Sequence, residues 1–279
     1  MVTGLAFAEG PRWRNGYLYY SDFYRHCVER VDVDGNVETV ASVPNQPSGL
    51  GWLPNGELLI VSMLDRRILR QRSDKSLVQH ADLSEVATWH CNDMVVSASG
   101  VAYVGNFGFD NSQLDRDKGE KPTPAHLAIV TPEGSVRTTK DTFKFPNGSV
   151  ITPDGKTLIV AETMGRRLTA FEVHDNGDLA NRREWADLGR HFPDGICLDA
   201  EGAIWIADPV RNALVRVKEG GNITHQIASD RPVYACMLGG DDGKRLFACT
   251  GQTSGDEAAS MRTGQIDFVD VDVPHACLP

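Results

Sequence analysis

A short phrase recurs along the chain. A tight polar corner, usually marked by glycine, is followed by a brief β-prone run that ends in a small residue and usually a polar one. These runs fall at 16–22, 56–62, 100–106, 156–162, 202–208 and 244–250. Another strand-like segment follows in most copies, as in Arg67-Ile68-Leu69-Arg70-Gln71 and Ala213-Leu214-Val215-Arg216-Val217. Hairpin dipeptides punctuate them at Asp34-Gly35, Asn55-Gly56, Asp154-Gly155, Asn176-Gly177 and Glu201-Gly202. Such pairs tolerate the positive φ that tight β-turns demand. No stretch carries a sustained helical period with caps.

The corners lie near Glu9, Ser48, Asn92, Asn147, Asp194 and Tyr234. They are about 40 to 55 residues apart, the length of one four-stranded propeller blade. The expected fold is therefore all-β: a six-bladed β-propeller with four-stranded blades around a central channel, with 1–279 forming one domain. A β-sandwich would also give many short strands, but not similar corners at such even intervals. The third unit is lengthened by an insertion at 110–125, rich in charge and proline. Long irregular loops are often functional, and this one reads as a flap over one mouth of the ring. Ring closure is left open between a very short strand ahead of Leu5, no such strand, and the C-terminal run 265–273.

With 279 residues, 41% of them hydrophobic, the chain can bury a large core. It has no apolar run of bilayer-spanning length, and its first residues lack the zones of a secretory signal. A net charge of −10 without a basic cluster argues against nucleic acid and anionic membrane as partners. The six cysteines show no close paired spacing, and Cys197, Cys236 and Cys249 sit in apolar runs. Together these features predict reduced thiols and a cytoplasmic protein. The oligomeric state is left open.

Four corners carry oxygen donors: Glu9, Asn92, Asn147 and Asp194. The innermost strand of each blade lines the channel, so equivalent positions converge on one point. Two carboxylates and two amide oxygens make a hard, oxygen-only site for one divalent cation. Ca²⁺ suits it best, and Mg²⁺ or Mn²⁺ would also be accepted. A structural zinc site would call for Cys and His clusters, which are not present at usable spacing. Asn-Gly and Asp-Gly are also plain turn formers. Asn55-Gly56 and Asp154-Gly155 are read that way.

The chain resembles the family of senescence marker protein, gluconolactonase and luciferin-regenerating enzyme, which are six-bladed propellers. The resemblance rests on Glu9-Gly10-Pro11-Arg12-Trp13, Asn92-Asp93, Phe145-Pro146-Asn147-Gly148 with Asp154-Gly155, Phe192-Pro193-Asp194-Gly195 and the tail 231–240. It implies a divalent cation, commonly Ca²⁺ or Zn²⁺, held by Glu9, Asn147 and Asp194, with Asn92 touching metal or substrate. It further implies lactone hydrolysis, with some relatives cleaving organophosphate esters. Asp194 matches the family's general acid/base, and Asp93 a second carboxylate proposed for the same role.

One departure concerns specificity. Sugar-lactone members often carry an arginine two residues before the third-unit asparagine; here that place is His90. Without a guanidinium, the multidentate clamp for hydroxyls is missing. His90 either contacts substrate or packs at a strand start. Trp89, Phe107, Phe109, Met63 and Met164 are expected near the mouth, with Trp89, His90, Asn92 and Phe107 as substrate contacts. If two of the aromatic or methionine side chains face the pocket, a substrate less polar than a sugar-acid lactone follows. The other histidines (His26, His80, His126, His174, His191, His225 and His275) read as scattered and mostly solvent-side. There is no phosphate-binding glycine loop in strand–helix context and no Gly-x-Ser-x-Gly elbow.

The leading reading is a metal-dependent hydrolase of a small lactone, acting by water attack without a covalent intermediate. A metal-dependent phosphotriesterase or other esterase, and a non-catalytic propeller with a structural ion, fit the same residues.

Overall fold

The computed structural model of the chain describes residues 2–110 and 122–276. After β1 (Val2–Leu5), the chain lays down five antiparallel meanders in succession. The first is β2 (Ala8–Arg14), β3 (Tyr17–Asp22), β4 (Cys27–Asp32) and β5 (Val37–Ser42). The second is β6 (Pro47–Trp52), β7 (Leu58–Ser62), β8 (Arg67–Gln71) and β9 (Leu77–Asp82). The third is β10 (Cys91–Val96), β11 (Ala102–Asn106), β12 (Ala128–Val130) and β13 (Val136–Thr138). The fourth is β14 (Pro146–Ile151), β15 (Thr157–Glu162), β16 (Arg167–Val173) and β17 (Leu179–Asp187). The fifth is β18 (Ile196–Leu198), β19 (Ile204–Asp208), β20 (Ala213–Lys218) and β21 (Asn222–Ala228).

The sixth sheet is built from both ends of the described chain. Its order is β22 (Val233–Gly239), β23 (Arg245–Thr250), β24 (Gly264–Asp270) and then β1. Val2 pairs with Ile266 and Thr3 with Gln265. Both candidates for closure are thus used: the C-terminal run supplies the third strand, and four N-terminal residues supply the fourth. The inner strands β2, β6, β10, β14, β18 and β22 pack in sequence, and β22 packs against β2, which closes the ring. This is a six-bladed β-propeller.

Burial falls from the axis outward. Each blade is sandwiched between two others, so its second strand is buried on both faces. β7, β11 and β19 are accordingly short runs with every residue buried. The outer strands β5 and β21 are mostly exposed. Register shifts interrupt the pairing of β5, β9, β17 and β21 with their neighbours. Bulges of this kind blunt an edge against pairing with another chain.

The hairpin dipeptides behave as read: Gly35, Gly56, Gly155, Gly177 and Gly202 all have positive φ. One helical turn, α1 (Asp256–Met261), lies between β23 and β24. Most of the insertion at 110–125 falls outside the described residues; Ala125 at its end bridges to Phe143.

The inner strands crowd one another at the corners. A Cβ added to Gly49 would lie 2.2 Å from the Met94 nitrogen, and one on Gly148 would lie 2.5 Å from the Ile196 nitrogen. Only glycine lets neighbouring backbones come that close. Gly49 and Gly148 lie within strands β6 and β14 without positive φ, so they are packing requirements rather than turn formers.

Candidate functional site

The corner residues share one local geometry. In five blades the inner strand shifts register against the second strand at this point: Glu9/Arg12, Pro47/Leu50, Cys91/Met94, Pro146/Ser149 and Val233/Ala235. A bulge re-aims the side chains it carries. In the fifth blade Asp194 stands just ahead of β18, fixed by its own N–H to Ala207 O at 2.9 Å.

A chain of hydrogen bonds joins the polar corners of the second, third and fourth blades. Ser48 Oγ donates to Asn92 Oδ1 (3.3 Å), and Asn92 Nδ2 donates to Asn147 Oδ1 (3.0 Å). Asn147 Nδ2 donates to Thr163 Oγ1 (3.2 Å), whose hydroxyl donates to Pro193 O at 2.7 Å, next to Asp194. Glu9 Oε2 accepts the Gly10 N–H at 3.0 Å. Ser48, Asn92 and Asn147 are buried, whereas Glu9 and Asp194 are half-buried.

The electrostatics are those of crowded anions. Burial, then the charge of Asp194, push the Glu9 carboxyl well above the ordinary carboxylate range. Burial, then Asp93, push Asp194 up to about 8, although a hydrogen bond from Asn147 acts the other way. Tyr234, the sixth corner, is raised to about 12 by burial and then by Asp194 and Glu9, so its phenol shares their field. The one guanidinium among these influences, Arg12, is engaged elsewhere. It donates to Asp93 Oδ1 (3.1 Å), Met94 O (2.5 Å) and Pro11 O (2.8 Å).

A hard divalent cation fits this donor set. Two mutually repelling, desolvated carboxylates with two amide side chains beside them are what such an ion neutralises. Among the described residues, no three His, Cys, Asp or Glu side chains form a metal-ligating group by themselves. The candidate set is distinct from such a group because asparagine supplies half of its donors.

Asp93 stands beside the donors, but Arg12 and the Met94 N–H (2.8 Å) hold one of its oxygens. Trp89 and His90 precede β10 and stack on each other at 4.5 Å. Burial and then Arg66 lower the His90 ring below its ordinary value, against the charge of Asp110. The His90 carbonyl accepts the Phe107 N–H at 3.0 Å. Phe107 stacks on Phe145 (5.1 Å), and Phe109 lies tilted against the same ring (6.0 Å).

Sequence reasoning gave no role to Arg12, Ser48, Thr163 or Tyr234. Ser48 and Tyr234 occupied corner positions, so the repeat register was the available signal. The histidines expected to be mostly solvent-side are less exposed than that: only His174 and His225 are exposed, while His26, His80, His126 and His275 are half-buried. His191 is not solvent-side: it is buried, and its Nδ1 lies 2.8 Å from Asp208 Oδ2. Asp208, Asp22 and Glu162 each end the second strand of a blade and tie down loops on the donor face. Asp22 accepts from the Ala6 and Phe7 N–H groups, Glu162 from Lys144, and Asp208 from Val210 and Arg211. The carboxylate of Asp208 is what holds His191 inside.

Known proteins share this architecture. The chain superimposes on a luciferin-regenerating enzyme with a TM-score of 0.82 at 17% identity, covering 98% of this chain and 94% of that one. It superimposes on regucalcin from Agrobacterium tumefaciens, described as a calcium-binding protein, with a TM-score of 0.79 at 20% identity, covering 99% and 93%. By sequence it is 22% identical to pentonolactonase XacC of Haloferax volcanii, over 92% of this chain and 86% of that protein. It is likewise 22% identical to L-arabinolactonase of Azospirillum brasilense, over 98% and 87%. The profile of the SMP-30/gluconolactonase/LRE-like region matches residues 7–252, and the chain belongs to that family.

Proposed function

We propose that the protein is a divalent-cation-dependent hydrolase that opens a small lactone. The observation that carries this reading is the approach of Glu9, Asn92, Asn147 and Asp194 from four blades, with Arg12, the guanidinium acting on Glu9, engaged by Asp93 and backbone carbonyls. Similarity to two named lactonases supports the bond type. Glu9, Asn147, Asp194 and Asn92 would hold the cation, with Ca²⁺ the best match to oxygen-only donors.

When bound, such an ion polarises a carbonyl and acidifies water. The protein's own contribution is positional. Asp194 would serve as ligand and base together, with one oxygen toward the cation and the other toward water. That second oxygen would receive the proton of the attacking water and return it to the alkoxide released as the ring C–O bond breaks. The Ser48–Asn92–Asn147–Thr163 chain fixes both amides, so their oxygens need little reordering to engage charge.

The test is Asp194→Asn assayed on a panel of lactones, aryl esters and phosphotriesters, with Ca²⁺, Mn²⁺ or Zn²⁺ and with chelator. Loss of at least about 100-fold in lactone kcat with the fold intact is expected. Unchanged kcat would remove Asp194 as the base. Turnover confined to phosphotriesters would change the bond. No turnover by the native chain with any ion would leave a structural cation in a non-catalytic propeller.

A further inference from the structure

The loop after the second strand of each blade opens on the same face as the candidate donors. Antiparallel pairing forces this: Ala8 pairs with Asp22, Pro47 with Ser62, Cys91 with Asn106 and Pro146 with Glu162. The first residue of each loop is Phe23, Met63, Phe107, Thr163, Pro209 and Gly251 in turn. Only Thr163 has a polar side chain, and it is committed to Asn147 and Pro193. The Met63 carbonyl accepts the Cys91 N–H at 3.2 Å, which places this ring of residues next to the donor strands.

In the second, fourth and fifth blades the second residue of this loop is apolar and exposed, whereas the sixth blade has Gln252 there and exposes Met261 further along. Leu64 and Met164 are each 37% exposed and Val210 59%, and Met261 of α1, in the sixth blade's loop, is 55% exposed. The other large apolar side chains exposed among the described residues (Val37, Ile223 and Phe268) lie on strands β5, β21 and β24. Single exposed apolar residues need no explanation. Four in equivalent loops of four blades, all on the donor face, do.

The same loops carry a packed apolar arc, to which α1 contributes Ala258. Phe7, Phe23 and Met63 form one cluster with Tyr24, Phe107 and Tyr234 against it, and Phe107 passes the arc on to Phe145. The Tyr234 carbonyl accepts the N–H of Gly195, the residue after Asp194, at 2.8 Å, which sets one end of the arc beside the donors. A polyhydroxylated ring would leave its hydroxyls facing hydrocarbon along this path, an unfavourable burial. An alkyl or aryl substituent would gain there.

We infer that the substrate is a lactone carrying an apolar substituent, whose ester is held at the four-donor corner while its alkyl or aryl group lies on the half-buried Phe107 and Phe145 rings, with the buried Met63 behind them. This inference rests on the lactonase reading and names its substrate class. The experiment measures kcat/KM of the Ca²⁺- or Mn²⁺-supplied protein for δ-valerolactone, for δ-lactones with chains from methyl to heptyl, and for glucono-δ-lactone. In parallel, calorimetry measures affinity for the matching alkyl δ-lactams, which resist turnover. We expect kcat/KM and lactam affinity to rise about fourfold per methylene over the first few carbons. Phe107→Ala, or the exposed Met164→Ser for which folding is not at issue, should flatten that slope.

Preference for glucono-δ-lactone, or no dependence on chain length, would overturn the substrate class and leave a lactonase. Failure to hydrolyse any lactone would overturn the lactonase reading, and the lactam affinities would still report on the arc. Flotation with neutral phosphatidylcholine vesicles that Met261→Ser abolishes, with flat lactam affinities, would assign the rim to a lipid surface instead.

Discussion

Arg12 and Asp93 form an ion pair at 3.1 Å that joins inner strands two blades apart, with side chains only 4% and 12% exposed. The guanidinium spans from β2 to β10 and also holds the Met94 carbonyl. Removing one member of such a pair strands the other charge. Arg12→Met should therefore lower unfolding free energy by about 3–5 kcal/mol, read by urea denaturation. Because Arg12 and the Met94 N–H already engage Asp93, Asp93→Asn should reduce lactone kcat less than Asp194→Asn does. An equal loss would make Asp93 a proton carrier.

The two central carboxylates make metal-free stability depend on pH in a defined direction. Asp194 is pushed up to about 8 and Glu9 is also raised, so the folded protein binds their protons more tightly than the unfolded chain does. Their contribution is fully present below the unfolded carboxylate pKa near 4 and is lost as pH rises through about 8. In chelator, Tm should fall across that window. Saturating Ca²⁺ should flatten the curve, and its binding at neutral pH should release protons, measurable by calorimetry in buffers of different ionisation enthalpy. A Tm independent of both pH and Ca²⁺ would contradict this.

Glu162 gives the opposite acid-side behaviour. It is fully buried and accepts from Lys144 N (2.8 Å), Thr169 Oγ1 (2.6 Å), Arg167 Nε (2.8 Å) and Arg182 (3.0 Å). Burial alone would raise its pKa, but the hydrogen bonds, led by Arg167, hold it below the ordinary value of 4.5. Its stabilisation is present above that value and lost as pH falls through the lower folded one. Glu162→Ala should cost about 3–5 kcal/mol at neutral pH. It should also shallow the acid limb of the stability curve, followed by circular dichroism between pH 5 and the acid transition.

Two glycine-to-alanine substitutions should differ sharply. At Gly155 nothing lies within 4 Å of an added Cβ and φ is +72°, so the cost is backbone strain alone, about 1 kcal/mol. At Gly49 the added carbon would meet the Met94 backbone at 2.2 Å. Relief requires the second and third inner strands to part, costing about 3 kcal/mol or more. Because Asn92 lies on the displaced strand, Gly49→Ala should weaken Ca²⁺ binding while Gly155→Ala leaves it unchanged. Titration calorimetry on both variants checks this.

The order of strands, the hairpin turns and the six-fold spacing could be read from the chain because each reflects near neighbours. Asn55-Gly56 and Asp154-Gly155 need only their own backbone to make a turn, and a run such as β19 needs only its apolar content to be a buried strand. The donor corners were legible for a related reason: a repeat places equivalent residues at equivalent heights, and a ring turns equal height into proximity. What the chain order could not carry was contact across the ring. Arg12 meets Asp93 across 81 positions and Asn92 meets Asn147 across 55. His191 is drawn inside by Asp208, and β1 finds β24 from the far end of the chain. Of these only the pairing of β1 with β24 is the closure itself; the others depend on how blades stack side by side, where inner strands come so near that glycine alone fits between them. Local pattern determined the blades and the residues each one offers to the axis. The closed tertiary structure decided which of them touch, which charges are left uncompensated, and which apolar loops surround them.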